Sequence, residues 1–170
     1  MNLSQELLGE ASKAHALRVA GYIGNDPDRF GTLMDVFFDG PYRLTQRAAA
    51  VMNCCVEAHP GLIGPFLGRL VAYCRGPVPD AVKRNTMRLL QSQSVPEALE
   101  GELLDVCFAL LENAGEAVAT KVYAMTVVHN LCRRHPDLKS ELAFLIETQL
   151  PYQSAAFRSR GRKVLAAIRK

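Results

Sequence analysis

Tryptophan is absent from this chain of 170 residues, no two cysteines form a C-x-x-C pair, and no uncharged stretch is long enough to span a membrane. Each absence removes a class of function. Without Trp, and with a net charge of only +3, a platform for stacking nucleic-acid bases is weak. The longest uncharged stretches, such as Val122 to Cys132, fall short of the roughly 18 residues a spanning helix needs. No membrane role is expected. Glu6, Glu10, Lys13 and Arg18 interrupt any apolar core of a signal peptide, so a cytoplasmic location is expected. The five cysteines are odd in number, and Cys54 and Cys55 are adjacent. That pattern fits neither a disulfide framework nor a zinc site, and it predicts buried, reduced thiols.

Catalytic patterns are missing too. The chain has no nucleophile elbow, no H-E-x-x-H, no phosphate loop and no dinucleotide fingerprint. Gly61-Leu62-Ile63-Gly64 opens a helix, because no strand precedes it. Glu97, Glu100 and Glu102 read as an exposed acidic patch. No catalytic residue, cofactor or metal is expected. There is no Ser/Gly-rich linker or low-complexity tract, so residues 1–170 read as a single domain.

What is present is a beat marked by proline. Turns recur at Asp26-Pro27, His59-Pro60, Val95-Pro96 and His135-Pro136, spaced by 33, 36 and 40 residues. Between them lie Gly40-Pro41, Pro77-Val78-Pro79, Ala114-Gly115 and Leu150-Pro151. Helix-period apolar runs fill the intervals, and no sustained period-two alternation predicts a strand. The expected helices are nine: Leu3 to Ile23, one from Pro27 to the break at Gly40-Pro41 with Phe30, Leu33, Met34 and Phe37 as its core face, Tyr42 to Ala58, about Pro60 to Cys74, Val78 to Gln91, Pro96 to Glu112, Glu116 to Arg134, Asp137 to Gln149, and one opened by Pro151. Pro65 blurs the start of the fourth, and Asp80 would cap the fifth.

A step of 38 residues places Val51 on Leu89, Val127 and Leu165, and Met52 on Leu90, Val128 and Ala166. It also brings Thr45 onto Lys83 and Lys121. Aligned apolar pairs are what stacked helical hairpins need, because one hairpin cannot bury its own face. The fold class is therefore all-α, an α-α superhelix of four to five two-helix repeats. Units of about 38 residues with a proline near the turn resemble HEAT-like and armadillo-like repeats, and two helices per unit favour HEAT-like. The stretches Thr45 to Ala49, Asp80 to Thr86 and Leu150 to Arg160 resemble a group of small uncharacterised bacterial HEAT-like proteins. Some of those carry an adenylosuccinate lyase label. That lyase needs a much longer chain and a serine-rich catalytic loop, neither of which is visible here.

Three sets of residues could carry function. Arg43, Arg47, Lys83, Arg84, Arg88, Lys121, Arg158 and Arg162 all lie on the third, fifth, seventh and last helices, mostly in their N-terminal halves. Cations there oppose the helix dipole at a few tenths of a kcal/mol each, so their repetition points to a basic stripe. The structural alternative is a solvated face with local pairs such as Asp80 with Arg84. The 38-residue step also aligns Asn53, Gln91 and His129 as a polar column. Armadillo-like proteins resemble this in using asparagines along a concave groove, and the alternative is bonding between neighbouring helices. His59 and His135 end helices at equivalent turns, where the dipole favours them.

The charge is uneven. Residues 1–40 carry three basic and six acidic side chains, while 151–170 carry six basic and no acidic ones. That asymmetry favours an anionic partner. The sequence reading is a non-enzymatic scaffold for an unknown protein or peptide, an acidic one among the candidates. The alternative is nucleic-acid binding, as in HEAT-like DNA alkylation-repair glycosylases.

Overall fold

Side-chain caps and prolines decide where the helices begin. The computed structural model describes residues 2–170. Asn2 opens α1 (Leu3–Leu7) by accepting from the Gln5 amide. Ser12 opens α2 (Lys13–Ile23) by accepting from the His15 amide. The single helix expected from Leu3 to Ile23 is thus two. Ser12 offers a cap, and the chain leaves the helix near Gly9, where a Cβ would come within 3.1 Å of the Glu6 carbonyl oxygen. Leu8 and Leu17, read as apolar positions of that helix, are about half exposed.

Asp26 caps α3 (Pro27–Asp39), accepting from the amides of Asp28 and Arg29, with Pro27 in the first turn as expected. Phe30, Leu33, Met34 and Phe37 are its buried face. Helix α4 (Tyr42–Ala58) follows. Pro65 falls inside a 3-10 stretch, Pro60–Phe66, and only then does α5 (Leu67–Tyr73) begin. Proline lacks the donor an α-helix interior requires, so the tighter helix takes its place. Helix α6 (Asp80–Leu90) starts after Pro79, and Asp80 is its first residue rather than its cap. Then come α7 (Glu97–Glu112), α8 (Val118–Leu131), α9 (Leu138–Gln149), a 3-10 turn at Leu150–Tyr152, and α10 (Ala155–Ile168). Ten α-helices stand where nine were expected, and no strand occurs among the described residues.

Helices α2, α4, α6, α8 and α10 pack each on the next and form one layer. The other layer holds α3, α5, α7 and α9. It packs more sparsely, and α7 and α9 scarcely touch. A stack bends toward the layer whose members stay close, so α2 to α10 is the inner one. Tyr73 of α5 packs on Phe37 and Phe38 of α3, at centroid distances of 5.5 and 5.4 Å, tilted on the first and edge-to-face with the second.

The 38-residue register is visible in the core. Val51, Leu89, Val127 and Leu165 are all buried, as are Met52, Leu90 and Val128, while Ala166 is exposed. It is visible again in polar ties. Arg47 donates to the Gly9 carbonyl, Asn130 to Gln91, Arg134 to Val95 and Gln149 to Leu111, each across 38 or 39 residues. Each tie satisfies a carbonyl at a turn, or at a helix end, of the preceding unit.

Candidate functional site

The position shared by Thr45, Lys83 and Lys121 turns inward. Each side chain reaches back from the start of its helix toward a nearby turn or helix end. Thr45 Oγ1 donates to the Gly40 carbonyl at 3.1 Å. Lys83 Nζ meets Glu116 at 2.8 Å and Asp80 at 3.8 Å. Lys121 is 1% exposed, and its ammonium donates to the Leu111 carbonyl at 3.0 Å and Gln149 Oε1 at 2.8 Å. Burial pushes the Lys121 amine below the usual lysine value, with Glu116 acting weakly the other way. Lys121 is closed to any ligand, and Lys83 is largely engaged.

The other six cations divide. Arg158 is half-buried and donates to the Gln153 carbonyl, and Arg162 is exposed on α10. Arg43, Arg47, Arg84 and Arg88 converge. They line a groove of about 550 Å³ that α4 floors and α2 and α6 flank on the inner layer. Arg47 is tied to Gly9, and Arg88 pairs with Glu57 at 2.8 Å. Arg43 and Arg84 make no ion pair or side-chain hydrogen bond among the described residues. Lys13, from the first turn of α2, joins them equally unpaired. The eight cations do not form one continuous stripe; the structure gathers four of them, and Lys13 with them, into a groove.

The floor is made of small side chains, Ala16, Ala50, Ala81 and Cys54, which is why the groove has depth. Burial, and then the Glu57 carboxylate, raise the Cys54 thiol. Asn53 is buried at the edge of this floor. Its Nδ2 donates to the Ala49 carbonyl at 2.9 Å and to the Asn85 carbonyl at 3.1 Å, so it ties α4 to α6. Gln91 follows the last residue of α6, and its own carbonyl accepts from Asn130. His129 is half-buried on α8. Neither the Gln91 nor the His129 side chain makes a hydrogen bond among the described residues, so these three positions share a register but not a bonding role.

The acidic patch expected on α7 is a correction. Glu97 is exposed and Glu102 pairs with Arg75, but Glu100 is buried at 2% exposure. It holds an ion pair with Arg134 and meets His135 Nε2 at 2.6 Å. Its helical spacing with the buried Leu103, Cys107 and Leu111 carried that signal. Lys13 was missed because the break at Ser12 was missed. His59 ends α4 and makes no side-chain bond among the described residues. Nor does any group of three His, Cys, Asp or Glu that could hold a metal ion occur among them.

A family model described as HEAT repeat domain matches residues 3–168. No curated protein and no solved structure matches the chain.

Proposed function

The chain belongs to the HEAT repeat family, and from that premise we propose that it is a non-enzymatic scaffold whose inner-layer groove holds an acidic segment of a protein partner. The observation that carries this reading is the convergence of Lys13, Arg43 and Arg84 from three helices with no acidic partner. Several other exposed cations are matched, Arg88 by Glu57 in the groove and Arg69 by Asp39 and Arg75 by Glu102 elsewhere. Like charges left together at helix starts are mildly unfavourable, and a ligand carboxylate relieves them. Three adjacent helices at the usual interaxial distance span about 20 Å, room for about six residues of extended chain.

No Phe, Tyr or Trp side chain lines the groove. That lack favours a peptide over a nucleic acid, whose bases want stacking partners. The non-enzymatic reading draws support from groups that could otherwise react. Burial pushes the Cys55 and Cys74 thiols up to about 12, far from thiolate, and Glu100 and Glu116 are buried against cations.

The test is fluorescence anisotropy with a labelled acidic hexapeptide and its amide analogue. Reversing Arg43 and Arg84 to Glu together should weaken the acidic peptide at least about tenfold, near 1.4 kcal/mol, and Arg162→Glu should not. Equal binding by the double variant defeats the proposal. Sub-micromolar retention of DNA or RNA at about 0.15 M salt would put nucleic acid first, because phosphate-dominated binding weakens steeply as salt rises.

A further inference from the structure

The groove continues past its cations. A second cavity of about 390 Å³ opens off it, and the two share Asn53, Glu57 and Arg88 in their linings. Beyond that junction the chemistry changes. Gln91, Ser92 and Gln93, from the turn that ends α6, line the second cavity together with Pro60 from the 3-10 stretch. The turn itself is fixed. The amides of these three residues donate to the carbonyls of Met87, Leu89 and Leu90, and the Gln91 carbonyl accepts from Asn130. The side chains are left over: neither glutamine nor Ser92 makes a side-chain hydrogen bond among the described residues. At the junction, Asn53 spends its Nδ2 on the Ala49 and Asn85 carbonyls, and its Oδ1 accepts nothing among the described residues. Glu57 and Arg88 are the charged residues of this lining, and they pair at 2.8 Å, so one charge cancels the other.

We propose that this second cavity takes an uncharged, extended continuation of the acidic segment and holds it by its main chain. The inference rests on the groove holding that segment. Each peptide unit offers one donor and one acceptor, and a glutamine side chain offers two donors and a carbonyl. Gln91 and Gln93 therefore bond main chain whatever its side chains are, and Asn53 Oδ1 adds an acceptor at the junction. A carboxylate finds no free cation there, because Glu57 already holds Arg88.

The length of α6 sets how much chain fits. Gln91 follows Arg84 by seven residues, about 10 Å along the helix axis, which is room for about three extended residues. The partner segment is therefore bipartite. An acidic stretch lies over Lys13, Arg43 and Arg84, and about three neutral residues lie against Gln91 and Gln93. The Glu57–Arg88 pair marks the boundary between the two. Such a site reads where the partner's charge stops, not only how much charge it carries.

The experiment measures anisotropy of the acidic hexapeptide and of versions extended at either end by three alanines or three glutamates. Main chain runs one way through the site, so one alanine extension should bind about fivefold tighter than the hexapeptide, the worth of about one net hydrogen bond. The other should bind no tighter. Three glutamates at the productive end should do no better than three alanines. The double variant Q91A/Q93A should lose the fivefold gain and bind the hexapeptide as the wild type does. It keeps the Gln91 carbonyl that Asn130 uses, and a thermal melt checks that it folds. R43E/R84E should weaken the hexapeptide and its extended forms alike. A hexapeptide that fails to bind the wild type defeats the groove reading, and this one with it. A hexapeptide that binds but gains nothing from either alanine extension overturns this inference alone. So does a gain that survives Q91A/Q93A, or a glutamate extension that binds tighter than the alanine one.

Discussion

Lys121 shows what burial does to one side chain. Its ammonium is satisfied by two neutral acceptors, not by a carboxylate, so the charged form bears a desolvation cost that Glu116 offsets only weakly. Its folded-state value is lowered from 10.5, while the unfolded chain keeps the ordinary one. Between those two values the unfolded state binds more protons, so stability rises with pH through that window. The buried thiols work oppositely. Burial raises them, the unfolded state loses their protons first, and stability falls as pH climbs past their ordinary value. Lys121→Met removes only the first effect. Gln149 Nε2 still donates to the Leu111 carbonyl, so no new orphan is made. Urea titrations at neutral and alkaline pH should show the wild type gaining relative to K121M as pH rises. A difference between the two that does not change with pH refutes this account.

At the scale of the element, one glycine fixes how closely α10 approaches its neighbours. Gly161 is buried within α10, and a Cβ there would stand 2.8 Å from Ile146 Cγ2 of α9. Isoleucine is branched at Cβ and cannot easily swing that methyl away. Gly161→Ala should therefore cost roughly 1–3 kcal/mol, outweighing the gain of about 1 kcal/mol in helix propensity. Gly101, in the interior of α7, has nothing within 4 Å of a built Cβ. Gly101→Ala should stabilise by roughly 0.5–1 kcal/mol. Thermal melts of the two variants check both signs, and the same sign for both would refute the close-approach argument. Most helices were legible because the prolines that bound them and their apolar period agree. The Leu3 to Ile23 run misled because Leu8, Ala11 and Leu17 supply an apolar pattern that the fold leaves exposed.

For the whole molecule, the buried apolar side chains form one cluster from Leu3 to Ile168. Phe157, Val164, Leu165 and Ile168 belong to it, on the face of α10 expected from their helical spacing. Burying four such side chains contributes roughly 6–12 kcal/mol, comparable with the total stability of a domain. Deleting residues 151–170 should strip cover from α8 and α9, lower the melting temperature sharply and promote association. Neutralising Arg158, Arg162 and Arg169 together should shift the melting temperature little, since Arg169–Glu147 is an exposed pair and Arg162 is unpaired. A truncated protein that remains monomeric and melts unchanged would show that α10 is an appendage rather than a cover.

The sequence by itself determined the all-α class, the 38-residue step, and the burial of Val51, Leu89, Val127 and Leu165. These follow from local periodicity, prolines and repetition, which need no knowledge of neighbours. It also held the cations Arg43, Arg47, Arg84 and Arg88 on the helices that share the inner layer. Tertiary structure alone decided that Lys83 and Lys121 turn inward to Glu116 and Gln149. It alone placed Lys13 in the groove and Glu100 beside His135. A repeat register says which residues are equivalent, not which way a long side chain bends. That choice depends on where the acceptors of the neighbouring units fall, before or after in the chain, and these lie 28 residues away for Lys121 with Gln149 and 39 for Arg134 with Val95.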